Sequence, residues 1–201
     1  MEPPPPHFVS RGGLKLQHAL ESFAFSPAGL TCADLGCSTG GFTDCLLKSN
    51  ASHVTAVDTG YGVLAWTLRQ DPRVTVRERE NALYAEPPPA GVDLVVIDMS
   101  WTPQHLCIPA ALRWLSPASN ARIITLIKPH YEDKPLAKTH RGILPDDLAQ
   151  NVAQRVIAEL PALAVSVLAA TQSPIRGGSG ANANLEWLAL LAPAVSHPAA
   201  R

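Results

Sequence analysis

Two rhythms of apolar and polar residues alternate along this chain. Short, largely apolar runs lie at 30–35, 53–57, 74–76, 94–97, 122–127, 163–168 and 185–191, bounded by glycine, proline or acids. Runs such as Leu94-Val95-Val96-Ile97, apolar at every position, predict strands buried on both faces. Between them the spacing turns helical. Leu16, Ala19, Leu20 and Phe23 share one helix face, and helices are predicted over Phe42 to Lys48, from Gly60-Tyr61-Gly62 to before Asp71, over Pro103 to Leu115, and from Asp146 to Leu160. Residues 129 to 145 are polar and broken by proline, so they read as a long loop, and Gly177 to Gly180 as a flexible one. Strands that alternate with helices predict a doubly wound α/β sheet, with ligands at the carboxyl ends of the strands. Gly36, Asp58, Asp98 and Lys128 all fall at such ends.

Composition narrows the class. The 201 residues, 46% hydrophobic and 16% charged, suit one globular domain over 8–195, with a proline-rich tail at 1–7 and a second tail at 196–201. No apolar run reaches the ~20 residues that span a bilayer, and Met1-Glu2-Pro3-Pro4 has no secretory pattern, so a cytoplasmic protein is expected. Cys32, Cys37, Cys45 and Cys107 form no metal-binding spacing, and no metal is expected. The net charge of −1 gives no global pull toward nucleic acid, so RNA contact would need a local basic patch. Arg69, Arg73, Arg77 and Arg79 read as a solvated face. A homodimer is compatible with the sequence.

The candidate chemistry begins at Gly36-Cys37-Ser38-Thr39-Gly40-Gly41-Phe42, a glycine loop between a strand and a helix. Glycines permit close approach of a ligand to backbone, and the helix start offers free N–H groups. Asp58 follows at the end of the next strand, where an acid accepts hydrogen bonds from ribose hydroxyls. The dinucleotide fingerprint and the phosphate-binding loop are both absent. A glycine loop with a ribose acid but no pyrophosphate spacing suits S-adenosylmethionine (SAM). Glu80 and Asn81 lie where an adenine contact is expected, with Asn81 preferred, and Trp101 could shape an acceptor pocket or belong to the core.

Taken together, Ser10-Arg11-Gly12-Gly13-Leu14-Lys15-Leu16, Ser38-Thr39-Gly40-Gly41-Phe42-Thr43-Asp44, Val57-Asp58-Thr59-Gly60-Tyr61-Gly62, Val96-Ile97-Asp98-Met99-Ser100 and Leu126-Ile127-Lys128-Pro129 resemble the FtsJ-type SAM-dependent RNA methyltransferases, most closely the TlyA (hemolysin A-like) branch. The resemblance runs in order from about Phe8 to Leu191. It implies a Rossmann-like fold: a mostly parallel seven-stranded sheet with an antiparallel last strand and helices on both faces. It also implies methylation of a ribose 2′-OH in rRNA by a tetrad falling on Lys15, Asp98, Lys128 and Glu186, with Asp98 also beside the cofactor. Such proteins usually carry an N-terminal S4 domain, where this chain has a proline tail, and Gly180 to Glu186 is longer than the family's link. Lys128 is the expected base, its pKa lowered by Lys15 beside it. Two rival readings are a SAM-dependent enzyme with a small-molecule acceptor and a non-catalytic, hemolysin-like RNA- or membrane-binding protein.

Overall fold

The computed structural model describes residues 8–117, 120–178 and 183–194; the proline tail, the 196–201 tail and residues 179–182 of the long link lie outside them. Helix α1 (Gly12–Ser22) precedes β1 (Thr31–Leu35), α2 (Gly41–Lys48), β2 (His53–Asp58), α3 (Trp66–Arg69), β3 (Val74–Glu78) and β4 (Leu94–Ile97). Then come α4 (Gln104–Leu112), β5 (Arg122–Ile127), α5 (Pro129–Glu132), α6 (Lys134–Thr139), α7 (Asp146–Glu159), a 3-10 turn (Leu160–Leu163), β6 (Val165–Gln172) and β7 (Trp187–Pro193). The strands form one sheet in the order β3-β2-β1-β4-β5-β7-β6. Neighbours pair in parallel except β7, which runs antiparallel to both β5 and β6.

Successive residues of the central strands feed opposite faces, as the pleat dictates. Leu94 and Val96 join the core under α1 and α2, whereas Val95 and Ile97 join the core with Ile108, Trp114 and Val156. This two-sided burial explains the unbroken apolar runs. On β6, after buried Val165, half-buried positions alternate with exposed ones, as on a strand with one covered face.

Three segments depart from the sequence reading. The predicted helix after Gly60 shrinks to α3, because the Gly60 and Gly62 N–H groups donate to Asp58 Oδ1 (2.7 Å) and Glu78 Oε1 (2.9 Å), holding an open loop. The predicted loop at 129–145 contains α5 and α6; both prolines sit in first turns, where the missing N–H costs no bond, and Asp133 caps α6 through Leu136 N–H at 3.1 Å. The strand predicted from Leu163 begins at Val165, after Ala164 takes a left-handed backbone (φ 60°). The arginine cluster is mostly paired: Arg69 with Glu78, Arg73 with Asp71 and Arg77 with Glu80, while Arg79 lies 4.1 Å over Tyr61.

Candidate active site

Gly36 follows β1 directly, with φ +90°, and a Cβ there would lie 2.9 Å from the Asp98 carbonyl oxygen. Only glycine lets the first loop pass this close to the end of β4. Ser38 donates its N–H to Asp58 Oδ2 at 2.8 Å, so the ribose-acid candidate also ties the glycine loop to the loop after β2. Each Asp58 oxygen retains a lone pair for a further donor.

Three cavities meet here, all lined by Ser38 and Asp98. A crevice of about 460 Å³ runs between the start of α1 (Ser10, Arg11, Gly12) and Gly36, Cys37, Ser38, Thr39, Gly41 and Phe42. Another, of about 390 Å³, is lined by Asp58, Asn81 and Met99 among others. Asn81 therefore faces the crevice, whereas Glu80 is engaged by Arg77 Nε at 3.2 Å. Gly40 lines neither crevice, and a Cβ there would meet the Leu64 and Leu68 side chains. Cys37 and Phe42 point into the core, and burial pushes the Cys37 thiol well above its ordinary range.

The largest of these three, about 740 Å³, brings together Lys15, Asp98, Lys128 and Glu186. Lys15 Nζ pairs with Glu186 Oε2 at 2.5 Å, and Lys128 Nζ with Asp98 Oδ1 at 2.5 Å. Lys15, Lys128 and Glu186 are buried, and Asp98 keeps 24% of its side-chain surface exposed. Glu186 reaches this rim because β7 starts there and runs the other way. Gly177 leaves no room for a Cβ beside the Glu186 carboxylate.

The electrostatics differ from the sequence expectation. Burial works to lower the Lys128 pKa, but the charge and hydrogen bond of Asp98, aided by Glu186 and Tyr131, outweigh it and hold Lys128 above its ordinary value. Each lysine has its own acid, so the lowered pKa expected from Lys15 is overturned in this state. Burial raises Glu186, against the pull of Lys15 and Lys128. Burial, then Lys128 and Lys15, push His130 down to about 4, so it is neutral at pH 7. Its ring lies 4.0 Å from Tyr131, which packs 4.9 Å from Trp101. Trp101 is 73% exposed at the cavity wall and belongs to no core.

Sequence reasoning gave no role to Asp34, Arg11 or Tyr131, which line these cavities. Asp34 is fully buried; its Oδ2 accepts the Thr43 N–H (2.9 Å) and hydroxyl (2.7 Å), and its Oδ1 has no partner among the described residues. Burial, outweighing the Thr43 hydrogen bonds, raises Asp34 to about 7. An acid inside an otherwise apolar strand was the available signal.

The family model of FtsJ-like methyltransferases matches residues 8–188. The 16S/23S rRNA (cytidine-2′-O)-methyltransferase TlyA of Mycobacterium tuberculosis is 50% identical over 127 residues, 62% of this chain and 47% of that protein. Hemolysin A of Brachyspira hyodysenteriae is 35% identical over 190 residues, covering 90% of this chain and 75% of that one. A candidate hemolysin from Streptococcus thermophilus superposes with a TM-score of 0.85 at 36% identity, over 97% of this chain and 70% of that chain. The chain thus spans about half the length of the TlyA relative it matches. A glycine loop under a ribose-type acid, a two-lysine rim and a family match over nearly the whole described fold lead to one conclusion: the chain belongs to the FtsJ-like methyltransferase family.

Proposed function

We propose that this chain is a SAM-dependent methyltransferase acting on a ribose 2′-hydroxyl of rRNA. The observation that carries this reading is the meeting of two lysine–carboxylate pairs with both glycine-loop crevices at Ser38 and Asp98.

The residues present fit the cofactor. The crevice beside Gly36 would take its aminocarboxyl end, where Asp34 Oδ1 has an unused acceptor, and the crevice with Asp58 and Asn81 its nucleoside. When bound, SAM supplies an electrophilic methyl group on a cationic sulfur. Every other requirement falls to this chain's side chains. A ribose hydroxyl is a weak nucleophile, so it needs orientation and a proton acceptor. Lys128 is that acceptor, and it must first give up the proton that Asp98 now helps it hold. Lys15 and Glu186, the latter beside Lys128 where β7 meets β5, orient the hydroxyl.

RNA as acceptor is supported by the cavity's mouth. Lys134 and Lys138 line it beside Lys15 and Lys128, giving the local basic patch that the net charge of −1 conceals. Trp101 offers a ring on which a base could stack. The rRNA cytidine-2′-O activity in the name of the TlyA relative agrees with this acceptor. The test is radiolabelled methyl transfer to ribosomal subunits from a strain deleted for this gene, with the product located by mass spectrometry. Label on a ribose 2′-oxygen is expected; label only on a small molecule, or none, overturns the reading.

A further inference from the structure

Glu132 ends α5, four residues after Lys128, and its carboxylate joins α5 to the start of α4. Its two oxygens accept the Gln104 N–H at 3.0 and 3.2 Å, at the first residue of α4, where Pro103 provides no side-chain cap. Buried Gln104 also reaches β5: its Nε2 donates to the Leu126 carbonyl (3.1 Å), and its Oε1 accepts the Thr125 hydroxyl (2.7 Å). The segment 98–103, with Asp98 at its root and Trp101 in its middle, is therefore stapled at its far end to both sides of Lys128. We infer that Glu132 is a positioning residue, which fixes the Asp98–Trp101 segment against Lys128 and so sets the geometry of the acceptor site. The inference rests on the methyltransferase reading above.

The staple is sensitive to protons near neutrality. Burial pushes Glu132 up to about 7, against the Gln104 N–H and Arg155, with Glu159 adding to the rise. The groups facing it are His105 and Cys107 on α4 and Arg155 and Glu159 on α7, with Asp133 next in the chain and paired to Arg155 at 3.1 Å. Ionised, the carboxylate makes charge-assisted bonds at a helix start, where negative charge is favoured. Protonated, it keeps an acceptor but loses that charge. Beneath the alkaline rise set by Lys128, activity should therefore steepen below a second midpoint near 7, an acid limb of its own.

The experiment compares the full chain with Glu132→Ala and Glu132→Gln. It measures kcat and KM on ribosomal subunits from pH 6 to 9, SAM affinity by calorimetry, and hydrogen exchange of the 99–104 amides. Glu132→Ala should lower kcat at pH 8 about tenfold, leave SAM affinity within about twofold, and speed exchange at Gln104. Glu132→Gln, neutral like the protonated carboxyl but still an acceptor, should lose the limb near 7 and hold kcat at pH 8 between those of Glu132→Ala and the wild type. Wild-type kcat and exchange in Glu132→Ala, or an unchanged acid limb in Glu132→Gln, overturns the inference. If Glu132→Ala does not fold, the acid limb of Glu132→Gln decides alone. If the wild type methylates no rRNA, the functional reading fails and the exchange data still judge the staple.

Discussion

At the scale of single residues, Lys128 carries the heaviest demand. Held above its ordinary pKa by Asp98, it should give a methylation rate that climbs with pH into the alkaline range. Lys128→Ala should cut kcat on the order of a hundredfold or more with SAM affinity nearly unchanged, by rapid-quench kinetics and calorimetry. Gly177→Ala should displace the Glu186 carboxylate and lower kcat while leaving overall helicity intact by circular dichroism. Asp34 yields a stability prediction. Its carboxyl rises from 3.8 to about 7, so the folded state binds the extra proton and stability falls as pH rises between those values. About three units at ~1.4 kcal/mol each puts that decline on the order of 4 kcal/mol. Urea denaturation of Asp34→Asn across pH 4 to 8 should show a flatter profile. The glycine loop and Asp58 were legible in the sequence because each sits at a strand end, whereas Lys15, Asp98, Lys128 and Glu186 came together as a set only through the family resemblance, and they line one cavity. The pairing of each lysine with a separate acid was not legible, since it depends on side chains 171 and 30 positions apart.

At the scale of elements, strands announced themselves more clearly than the connections. β5 is found at its expected bounds because both faces are buried and its one interior polar side chain, Thr125, is satisfied by Gln104. α5 and α6 stayed hidden because each spans two turns or fewer, too short for a periodic pattern, and proline looks like a breaker unless its place in the first turn is known. The stretch that follows them is held by one buried amide. Asn184 accepts the Leu144 N–H at 2.9 Å and donates to the Gly142 carbonyl at 2.9 Å, stitching the stretch after α6 to the approach to β7. Asn184→Ala should cost about 1–3 kcal/mol in chemical denaturation, since it strands two backbone groups. It should also make 134–144 more susceptible to limited proteolysis.

At the scale of the whole molecule, a near-neutral chain sets two exposed lysines, Lys134 and Lys138, at the cavity where the acceptor would enter. Replacing Lys134 and Lys138 with glutamate should weaken rRNA binding and make its salt dependence shallower by about two units of log–log slope, with SAM binding unaffected. Unaltered salt dependence would show that the mouth does not meet phosphate. The reversed direction of β7 has a further consequence. Pairing of Trp187 with Ile127 sets the place of Glu186, whatever the length of the connection from β6. Within that connection Gly177, packed on the Glu186 carboxylate, and Asn184, bonded to Leu144 and Gly142, are fixed by the rim, while Gly178 and Ala183 line the cavity beside them. Here selectivity for an acceptor could diverge while the chemistry stays in place.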